Sequence, residues 1–419
     1  MLKCGLSAST FARLSFVFIL LSSSSAIFSQ SPPPGFGFPL LPPATWEKTS
    51  AKEWATTLQL PVESETKYQS SYRAYCTPQI QVLGANPKSI ALIANEDHPD
   101  QLTLVYANKG DSAGQGMPFK NGSVRVSSLE KVVAQAISAD ADSLRAKLSS
   151  LLGPPKKQMF GNFGKTRESA ERWDCAGTAI LLIEKPSEYV ALRVLPSVSV
   201  DLAEKPQRIS DATMRERMKA NVIQRLNGDI VVENIPMVDQ GPKGFCVPAT
   251  YARALLYAGV PADLYLLALL GRTDVGGGTS VFAMESSARA LAATYGRSIT
   301  SVSPSLDLAK LESFFERGIP LTWAMDVDEG INRDLSLRLK ERASADPDAW
   351  NKILEPKRKA ARSLRKNPQN GHVCLLIGCN RKTGELATSD SWGPEFTERW
   401  ITVEEARALS QGDLGAIVP

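Results

Sequence analysis

The sequence predicts an α+β fold in two parts, a small α+β domain followed by a larger one with helices and antiparallel strands. Three observations predict it. Apolar runs joined by short turns recur in pairs, which is typical of β-hairpins. Stretches with apolar residues at helical spacing lie between those pairs. The chain has 419 residues, enough for two domains of roughly 100–200 residues.

The composition is that of a chain that folds around a core. Hydrophobic residues make up 43% and charged residues 22% of the sequence, close to the average for globular proteins. The formal net charge of +4 falls to +2 when Lys3 and Arg13, the basic residues of the N-terminal segment, are removed. So small a balance indicates neither a nucleic-acid partner nor binding to a membrane surface.

The pattern of residues 1–26 is typical of a signal peptide. Lys3 and Arg13 are followed by the apolar run 14–21, which is too short to span a bilayer, and then by small residues ending at Ala26. An uncleaved anchor is the alternative, but the apolar run ends in four serines. We therefore expect export to the periplasm or the outside, with no membrane span in the mature chain.

The next two segments are a spacer and the smaller domain. Residues 27–45 are rich in proline and glycine and predict an extended spacer. Residues 46–205 predict an α+β domain, with hairpins at 89–108 and 178–195 and a helix over 127–152. Nothing in this domain suggests catalysis. Its role as an inhibitory prosegment, a targeting module or a binding module stays open.

The cysteines leave at least one thiol free. Of the six, Cys4 leaves with the signal peptide, and the remaining five are an odd number, so they cannot all pair in disulfides. Cys76 and Cys175 could form a disulfide or stay free. Cys374 and Cys379 are five residues apart on one expected strand, so they point to opposite faces and are best interpreted as buried thiols. No metal site and no cofactor are expected.

Residues 206–419 are expected to form the larger domain. A helix over 209–227, ended by Asn227-Gly228, and a strand over 229–237 precede a turn rich in glycine and proline, and this turn ends at Cys246. Pro248 and the apolar spacing after it predict that a helix begins at this cysteine. The free N–H groups and dipole of a helix N-terminus favour a thiolate, the reactive form of cysteine. For an isolated cysteine, a buried structural thiol would be the better interpretation.

Three other residues strengthen the reactive interpretation. His372 begins an apolar strand, and Asp390 follows a hairpin turn at 382–384, so adjacent antiparallel strands would bring them together. His372 would then exchange protons with Cys246, and Asp390 would orient the imidazole. Gln240 lies six residues before Cys246, and its amide is placed to stabilise an oxyanion. The other histidine, His98, lies in a polar turn.

Together, Gln240, the turn into Cys246, Gly371-His372 and the turn 390–393 resemble the papain-like cysteine peptidase superfamily. The G-x-C-x-x-A start and the aspartate are most similar to its bacteriocin-leader-processing (double-glycine) branch and its exported relatives. The resemblance covers about residues 230–419. His372 follows Cys246 at nearly the separation of about 130–150 residues typical of papain. Papain itself has an aromatic residue and an asparagine where this chain has Val247 and Asp390.

The resemblance implies a two-lobe domain, with a helical lobe that carries the nucleophile and an antiparallel β lobe that carries histidine and aspartate. It implies hydrolysis of peptide bonds in a peptide or protein substrate. It also implies substrate contacts for Trp392 and for Gly276 and Gly277, because backbone pairing with substrate requires close approach. The alternative for this glycine run is a loop that caps the next helix through Thr279 or Ser280.

Residues 331–366 form a basic insertion with 11 Lys or Arg against 5 Asp or Glu. A solvated helical hairpin is the favoured interpretation, and a guide for acidic peptides, envelope polymers or a partner is the alternative. Two other functions remain open beside the peptidase. One is a papain-like amidase or acyltransferase, and the other is an inactive module that keeps the fold. The sequence does not indicate the oligomeric state.

Overall fold

The computed structural model describes residues 36–111, 123–161, 167–201, 208–275, 278–364 and 370–419. The predicted signal peptide, residues 27–35 of the predicted spacer, and Gly276 and Gly277 lie outside these ranges. Helices and antiparallel sheets make up the fold, which is α+β as the sequence predicts. In the described part of the chain, no helix combines the length and the apolar character needed to cross a membrane.

The N-terminal region, residues 36–201, contains an eight-stranded antiparallel sheet with strand order β1-β2-β3-β4-β8-β7-β6-β5. Its elements are α1 (Ala51–Thr57), β1 (Val62–Glu65), β2 (Ser70–Tyr75), β3 (Ser89–Asn95), β4 (His98–Asn108), α2 (Ser123–Leu152), β5 (Lys156–Phe160), β6 (Glu168–Cys175), β7 (Thr178–Lys185), β8 (Tyr189–Pro196) and α3 (Ser197–Asp201). Both predicted hairpins and the long helix are therefore present.

Both faces of this N-terminal sheet are covered. Side chains alternate between the two faces of a strand, and on β7 both sets are buried. On β7, Ile180 and Leu182 join the core beneath α1 and α2. Ala179, Leu181 and Ile183 join a second core that includes residues of the C-terminal region. Such double burial explains why β7 is an uninterrupted apolar run. The two regions of the chain thus share one of their two hydrophobic cores.

The described end of the predicted spacer packs onto the N-terminal region. Phe36 and Leu40 are buried in the same core as Trp54 of α1. The indole N–H of Trp54 also donates to the Pro39 carbonyl. Residues 36–45 therefore belong to the N-terminal region as part of its packed structure.

Cys76 and Cys175 are free thiols, so the possible disulfide between them is not formed. Cys76 directly follows β2, and Cys175 ends β6, five positions further along the sheet. At about 4.8 Å per strand they are roughly 24 Å apart, whereas a disulfide needs Cα atoms within about 7 Å. They also lie at opposite ends of their antiparallel strands.

The C-terminal region, residues 208–419, contains the second eight-stranded antiparallel sheet, ordered β11-β16-β12-β13-β10-β9, with β14 and β15 extending from β13. Its elements are α4 (Asp211–Lys219), β9 (Val222–Gln224), β10 (Ile230–Val232), α5 (Cys246–Tyr257), α6 (Leu264–Leu270), α7 (Val281–Thr294), β11 (Ser298–Ser301), α8 (Leu308–Phe315), β12 (Leu321–Asp326), α9 (Glu329–Ser344), α10 (Pro347–Ala361), β13 (Gly371–Asn380), β14 (Glu385–Ser389), β15 (Arg399–Thr402), α11 (Val403–Leu409) and β16 (Ser410–Val418).

The predictions of a helix over 209–227 and a strand over 229–237 were wrong in extent. The helix α4 ends at Lys219, and β9 and β10 then form a hairpin around Asn227-Gly228. Gly228 has φ +96°, which suits a hairpin turn as well as a helix end. The β-branched Val222 and Ile223 favour the strand. An Asn-Gly pair alone does not distinguish these two structures.

The basic insertion is a helical hairpin, α9 and α10, whose arginines are partly internal. Arg338 forms a bidentate pair with Glu405, and both side chains are about 3% exposed. Arg342 binds Asp229 and Glu385, and its side chain is about 6% exposed. Breaking a buried ion pair by removing one partner costs about 3–5 kcal/mol. These two arginines hold the hairpin on the sheet and are not available to attract a ligand.

Candidate active site

Cys246 occupies the first position of α5, as the sequence predicts. Burial opposes ionisation of its thiol. The hydrogen bond and charge of His372, together with the backbone N–H groups of Val373 and Val247, outweigh burial and lower the pKa of Cys246. The Val247 N–H belongs to the free N–H groups at the helix start, which stabilise an anion.

The other described cysteines behave oppositely. Burial raises the pKa of Cys76 to about 11 and of Cys379 to about 12, and it also raises the pKa of Cys175 and Cys374. Of the five cysteines in the described part of the chain, Cys246 alone has a lowered pKa. Ionisation to the thiolate is therefore easier than for an ordinary cysteine at this position and harder at the other four.

His372 and Asp390 come together because β13 and β14 form an antiparallel hairpin. Leu375 pairs with Ser389, so Asp390 lies one step beyond the strand and beside the start of β13. The distance from His372 Nε2 to Asp390 Oδ1 is 2.8 Å. With Nε2 donating to the carboxylate, Nδ1 is the ring nitrogen left for the hydrogen bond with Cys246.

Each of Cys246, His372 and Asp390 stabilises the charged form of the residue that it is bonded to. Burial favours a neutral imidazole, but the hydrogen bonds to Asp390 and Cys246 outweigh it and raise the pKa of His372 to about 9. Burial also opposes ionisation of Asp390, yet the His372 hydrogen bond and the Arg399 charge keep the pKa of this carboxyl below its ordinary value. The arrangement favours thiolate, imidazolium and carboxylate together.

Trp392 covers the imidazole. Its ring stacks on His372 with centroids 4.5 Å apart and planes at 29°, and Phe396 contacts the Trp392 ring in an edge-on arrangement. Such cover excludes water from the His372–Asp390 hydrogen bond and strengthens it. The structure thus places Trp392 against the histidine, and the substrate contact that the resemblance implies for Trp392 stays a prediction.

Gln240 lies in the loop before Cys246, and its backbone N–H donates to the Ser391 carbonyl at 2.9 Å. Its side-chain Nε2 donates to the Lys243 carbonyl at 2.9 Å. An amide nitrogen carries two hydrogens, so one N–H is left for another acceptor. The buried Oε1 has no hydrogen-bond partner among the described residues. One amide N–H is thus bonded to the loop that precedes Cys246, and the second N–H is left to donate to another group.

Arg399 is a residue that sequence reasoning missed. Its Nη2 donates to Asp390 Oδ2 at 2.7 Å, so each carboxylate oxygen has its own donor. Its Nη1 reaches Asn332 of α9, which connects the inserted hairpin to the site. In the sequence Arg399 is one arginine in a short strand, and only the sheet pairing places it beside Asp390.

Arg253 is the second residue missed. It is fully buried, and it donates to the Pro236 carbonyl and to Ser389 and Ser391, the neighbours of Asp390. Burial lowers the pKa of Arg253 to about 10. It therefore fastens α5 to the turn that carries Asp390. An arginine within the apolar run of α5 was the available signal.

The remaining candidates are placed as follows. Gly276 and Gly277 lie outside the described residues, so the structure does not place them. Ser280 caps α7 by accepting the Ala283 N–H, in agreement with the capping alternative. His98 is exposed at the start of β4. Cys374 and Cys379 are buried free thiols, as the sequence predicts.

No protein-family model matches the chain, and no curated protein matches it in sequence. Among solved structures, it is similar to the peptidase domain of Streptococcus ComA, a bifunctional ABC transporter involved in a quorum-sensing pathway. The match has 15% identity and a TM-score of 0.28, and it covers 44% of this chain and 97% of that domain. A TM-score this low carries no argument about function, which must come from the contacts around Cys246.

Proposed function

We propose that this chain is an exported cysteine peptidase, with a papain-like two-lobe catalytic domain in residues 206–419 and a signal peptide in residues 1–26. The observation that carries the proposal is the hydrogen bond of Cys246, at the start of α5, with the buried His372, which is itself bonded to Asp390 at 2.8 Å. In agreement with it, His372 lowers the thiol pKa of Cys246, whereas burial raises the pKa of the other described thiols. Activated cysteine nucleophiles are recognised by this combination of an adjacent base and a helix N-terminus.

In the proposed reaction, the Cys246 thiolate attacks the carbonyl carbon of a peptide bond and forms a carbon–sulfur bond. The free N–H of Gln240 and the Cys246 backbone N–H donate to the oxyanion. The imidazolium of His372 gives its proton to the leaving amine as the carbon–nitrogen bond breaks. Water, deprotonated by His372, then attacks the thioester. The carbon–sulfur bond breaks, the carboxylic acid product leaves, and the Cys246 thiolate and the His372 imidazolium are restored.

Asp390 holds the imidazole in the tautomer that presents Nδ1 to the thiol, and it stabilises the imidazolium. Arg399 occupies the second carboxylate oxygen and keeps Asp390 ionised. The same residues could transfer the acyl group to an amine in place of water, or hydrolyse a non-peptide amide. These reactions would use the same catalytic groups and differ from peptide hydrolysis in the acyl acceptor or in the substrate, and hence in the products.

The test compares two cysteine substitutions. Cys246→Ala should abolish hydrolysis of a peptide library while circular dichroism and thermal midpoint stay unchanged. Cys175→Ala is the matched control, because that thiol is also partly exposed but has a raised pKa, and it should retain full activity. Iodoacetamide at pH 6 should label Cys246 first, as located by peptide mass spectrometry.

Full turnover in Cys246→Ala would end the proposal, as would labelling of Cys246 no faster than Cys175. Product analysis with an added amine decides between hydrolysis and transfer. An amide of the added amine as the main product would replace the peptidase with an acyltransferase.

A further inference from the structure

The nucleophile loop, residues 237–245, is held by the N-terminal region at its beginning. Ser64 Oγ accepts the Met237 N–H at 2.9 Å, and Glu63 Oε1 accepts the Asp239 N–H at 2.8 Å. The Tyr75 hydroxyl donates to the Asp239 carbonyl at 2.6 Å. Both backbone groups of Asp239, the residue before Gln240, are therefore bonded to side chains more than 160 positions earlier in the chain.

The end of the loop is held by a buried ion pair. Lys243 Nζ donates to Asp111 Oδ2 at 2.8 Å and to the Tyr265 hydroxyl at 3.1 Å, and its side chain is 1% exposed. The ammonium also lies over the rings of Tyr75 and Phe245, 4.8 and 5.5 Å from their centroids. A desolvated ammonium with a carboxylate and aromatic faces around it is strongly confined.

The two regions meet here without spare space. A Cβ on Gly241 would lie 2.6 Å from the Tyr75 ring, and a Cβ on Gly110 would lie 2.6 Å from the Phe245 ring. Contacts this short require the rings to move. The nucleophile loop therefore packs so closely against the N-terminal region that an added methyl group at either glycine would not fit.

These contacts bracket Gln240. Asp239 on one side is bonded to Glu63 and Tyr75, and Lys243 on the other side is bonded to Asp111. The carbonyl of that same Lys243 accepts the Gln240 side-chain amide. The direction of the remaining amide N–H thus depends on a backbone carbonyl whose residue is fixed by the N-terminal region.

From this geometry we propose that the N-terminal region is a permanent part of the catalytic unit. Asp111, Glu63 and Tyr75 act as positioning residues that aim the Gln240 amide at the oxyanion. This inference rests on the proposed function, and it opposes a removable inhibitory prosegment. Among the described residues, the side-chain hydrogen bonds and the stacking contact of His372 come from residues 246, 390 and 392, so the N-terminal contacts described above act on the loop and not on the imidazole.

The experiment measures kcat, KM and alkylation of Cys246 in Asp111→Asn and in the matched control Asp142→Asn, which removes a carboxylate from an exposed pair on α2. Removing one oxyanion donor costs about 10²–10³-fold in kcat, so misdirecting it by Asp111→Asn should cost roughly tenfold or more. KM and the pH dependence of iodoacetamide alkylation should not change, because that reaction needs the thiolate but no oxyanion donor. Asp142→Asn should match the unmodified chain.

A double-substitution cycle with Gln240→Ala separates positioning from general stability. If Asp111 acts through Gln240, then Asp111→Asn in the Gln240→Ala background should have no further effect on kcat. Additive losses, or an unchanged kcat in Asp111→Asn, would overturn the proposal. If Asp111→Asn does not fold, Tyr75→Phe removes only the hydroxyl bonded to Asp239 and is expected to lower kcat several-fold with KM unchanged.

Hydrogen exchange of residues 237–245 provides a readout that does not require turnover. The Asp239 and Met237 amides should exchange at least tenfold faster in Asp111→Asn or Tyr75→Phe than in Asp142→Asn. If the unmodified chain hydrolyses no peptide, the proposed peptidase function is wrong. If hydrogen exchange is unchanged in both Asp111→Asn and Tyr75→Phe, the positioning role is wrong, whether or not the chain is a peptidase.

Discussion

The two eight-stranded sheets of this chain are connected in different ways. In the N-terminal sheet nearly all pairs join strands that follow one another in the sequence, except where β4 meets β8. In the C-terminal sheet, β10 pairs with β13, and β16 pairs with β11 and β12, across roughly 85 to 150 residues. The candidate site lies beside the second sheet, where helix α5 packs on β13 and brings Cys246 to the hairpin that carries His372 and Asp390.

The two sheets also use buried charge differently. The Lys243–Asp111 pair between the two regions is a fixed contact, and burial does not prevent the pKa of Lys243 from being raised. In the pair of His372 and Asp390, the pKa of the imidazole is about 9, so this buried group can take up and release a proton. The comparison suggests that the N-terminal region supplies rigidity and the C-terminal sheet supplies a titrating group.

The largest difference should come from replacing, in separate variants, the histidine of each sheet. His372→Ala should lower kcat/KM by at least about 10³-fold, because it removes the proton carrier of the proposed reaction. His98→Ala is the matched control on the exposed start of β4 and should leave kcat/KM unchanged. Steady-state kinetics on a single peptide substrate check both. Equal losses in the two variants would break the comparison.

Asp390→Asn should lower kcat by roughly 10²-fold, less than the loss of His372. An asparagine can accept from either His372 Nε2 or Arg399 with its one oxygen, and its NH₂ group then opposes the other donor. Because the Asp390 carboxylate raises the pKa of His372, the alkaline limb of kcat/KM should also move to lower pH. An alkaline limb that stays in place would show that Asp390 does not set the imidazole pKa.

The pH dependence of the unmodified chain should show two limbs. Activity should rise as the Cys246 thiol, whose pKa is lowered from 9.0, loses its proton. It should fall about tenfold per pH unit above about pH 9, where the imidazolium of His372 loses its own. Because the two groups interact, the limbs belong to the pair. An alkaline limb near pH 6.5 would place His372 outside the influence of Asp390.

The smallest effect should come from cutting the chain between the two regions. A site-specific protease sequence inserted between Asp201 and Arg208 allows cleavage after folding. Because residues such as Leu181 and Phe245 share one core, the two pieces should elute together and keep kcat/KM within about twofold. An increase in activity on cleavage, with separation of the pieces, would identify an inhibitory prosegment and contradict the positioning role.

The predictions that were correct concern local structure. The hairpins β3–β4 and β7–β8, the long helix α2 and the start of α5 at Cys246 are determined by patterns within about 20–30 residues. The helix over 209–227 failed because an Asn-Gly pair serves both a helix end and a hairpin. The sequence left the pairing of Cys76 and Cys175 open, because strand order, which places them five strands apart as free thiols, is not determined by the residues around either cysteine.

The sequence by itself determined the residue types of the candidate site, since a cysteine after a glycine-rich turn and a histidine before an apolar strand are local features. Only the tertiary structure decided that Arg399 holds Asp390, that Arg253 fastens the turn around it, and that Asp111 and Tyr75 hold the loop before Cys246. Each of these contacts joins segments that meet through sheet pairing or a shared core. Whether a charged side chain is a solvated surface group or a buried partner depends on what packs against it, and a chain position alone does not contain that information.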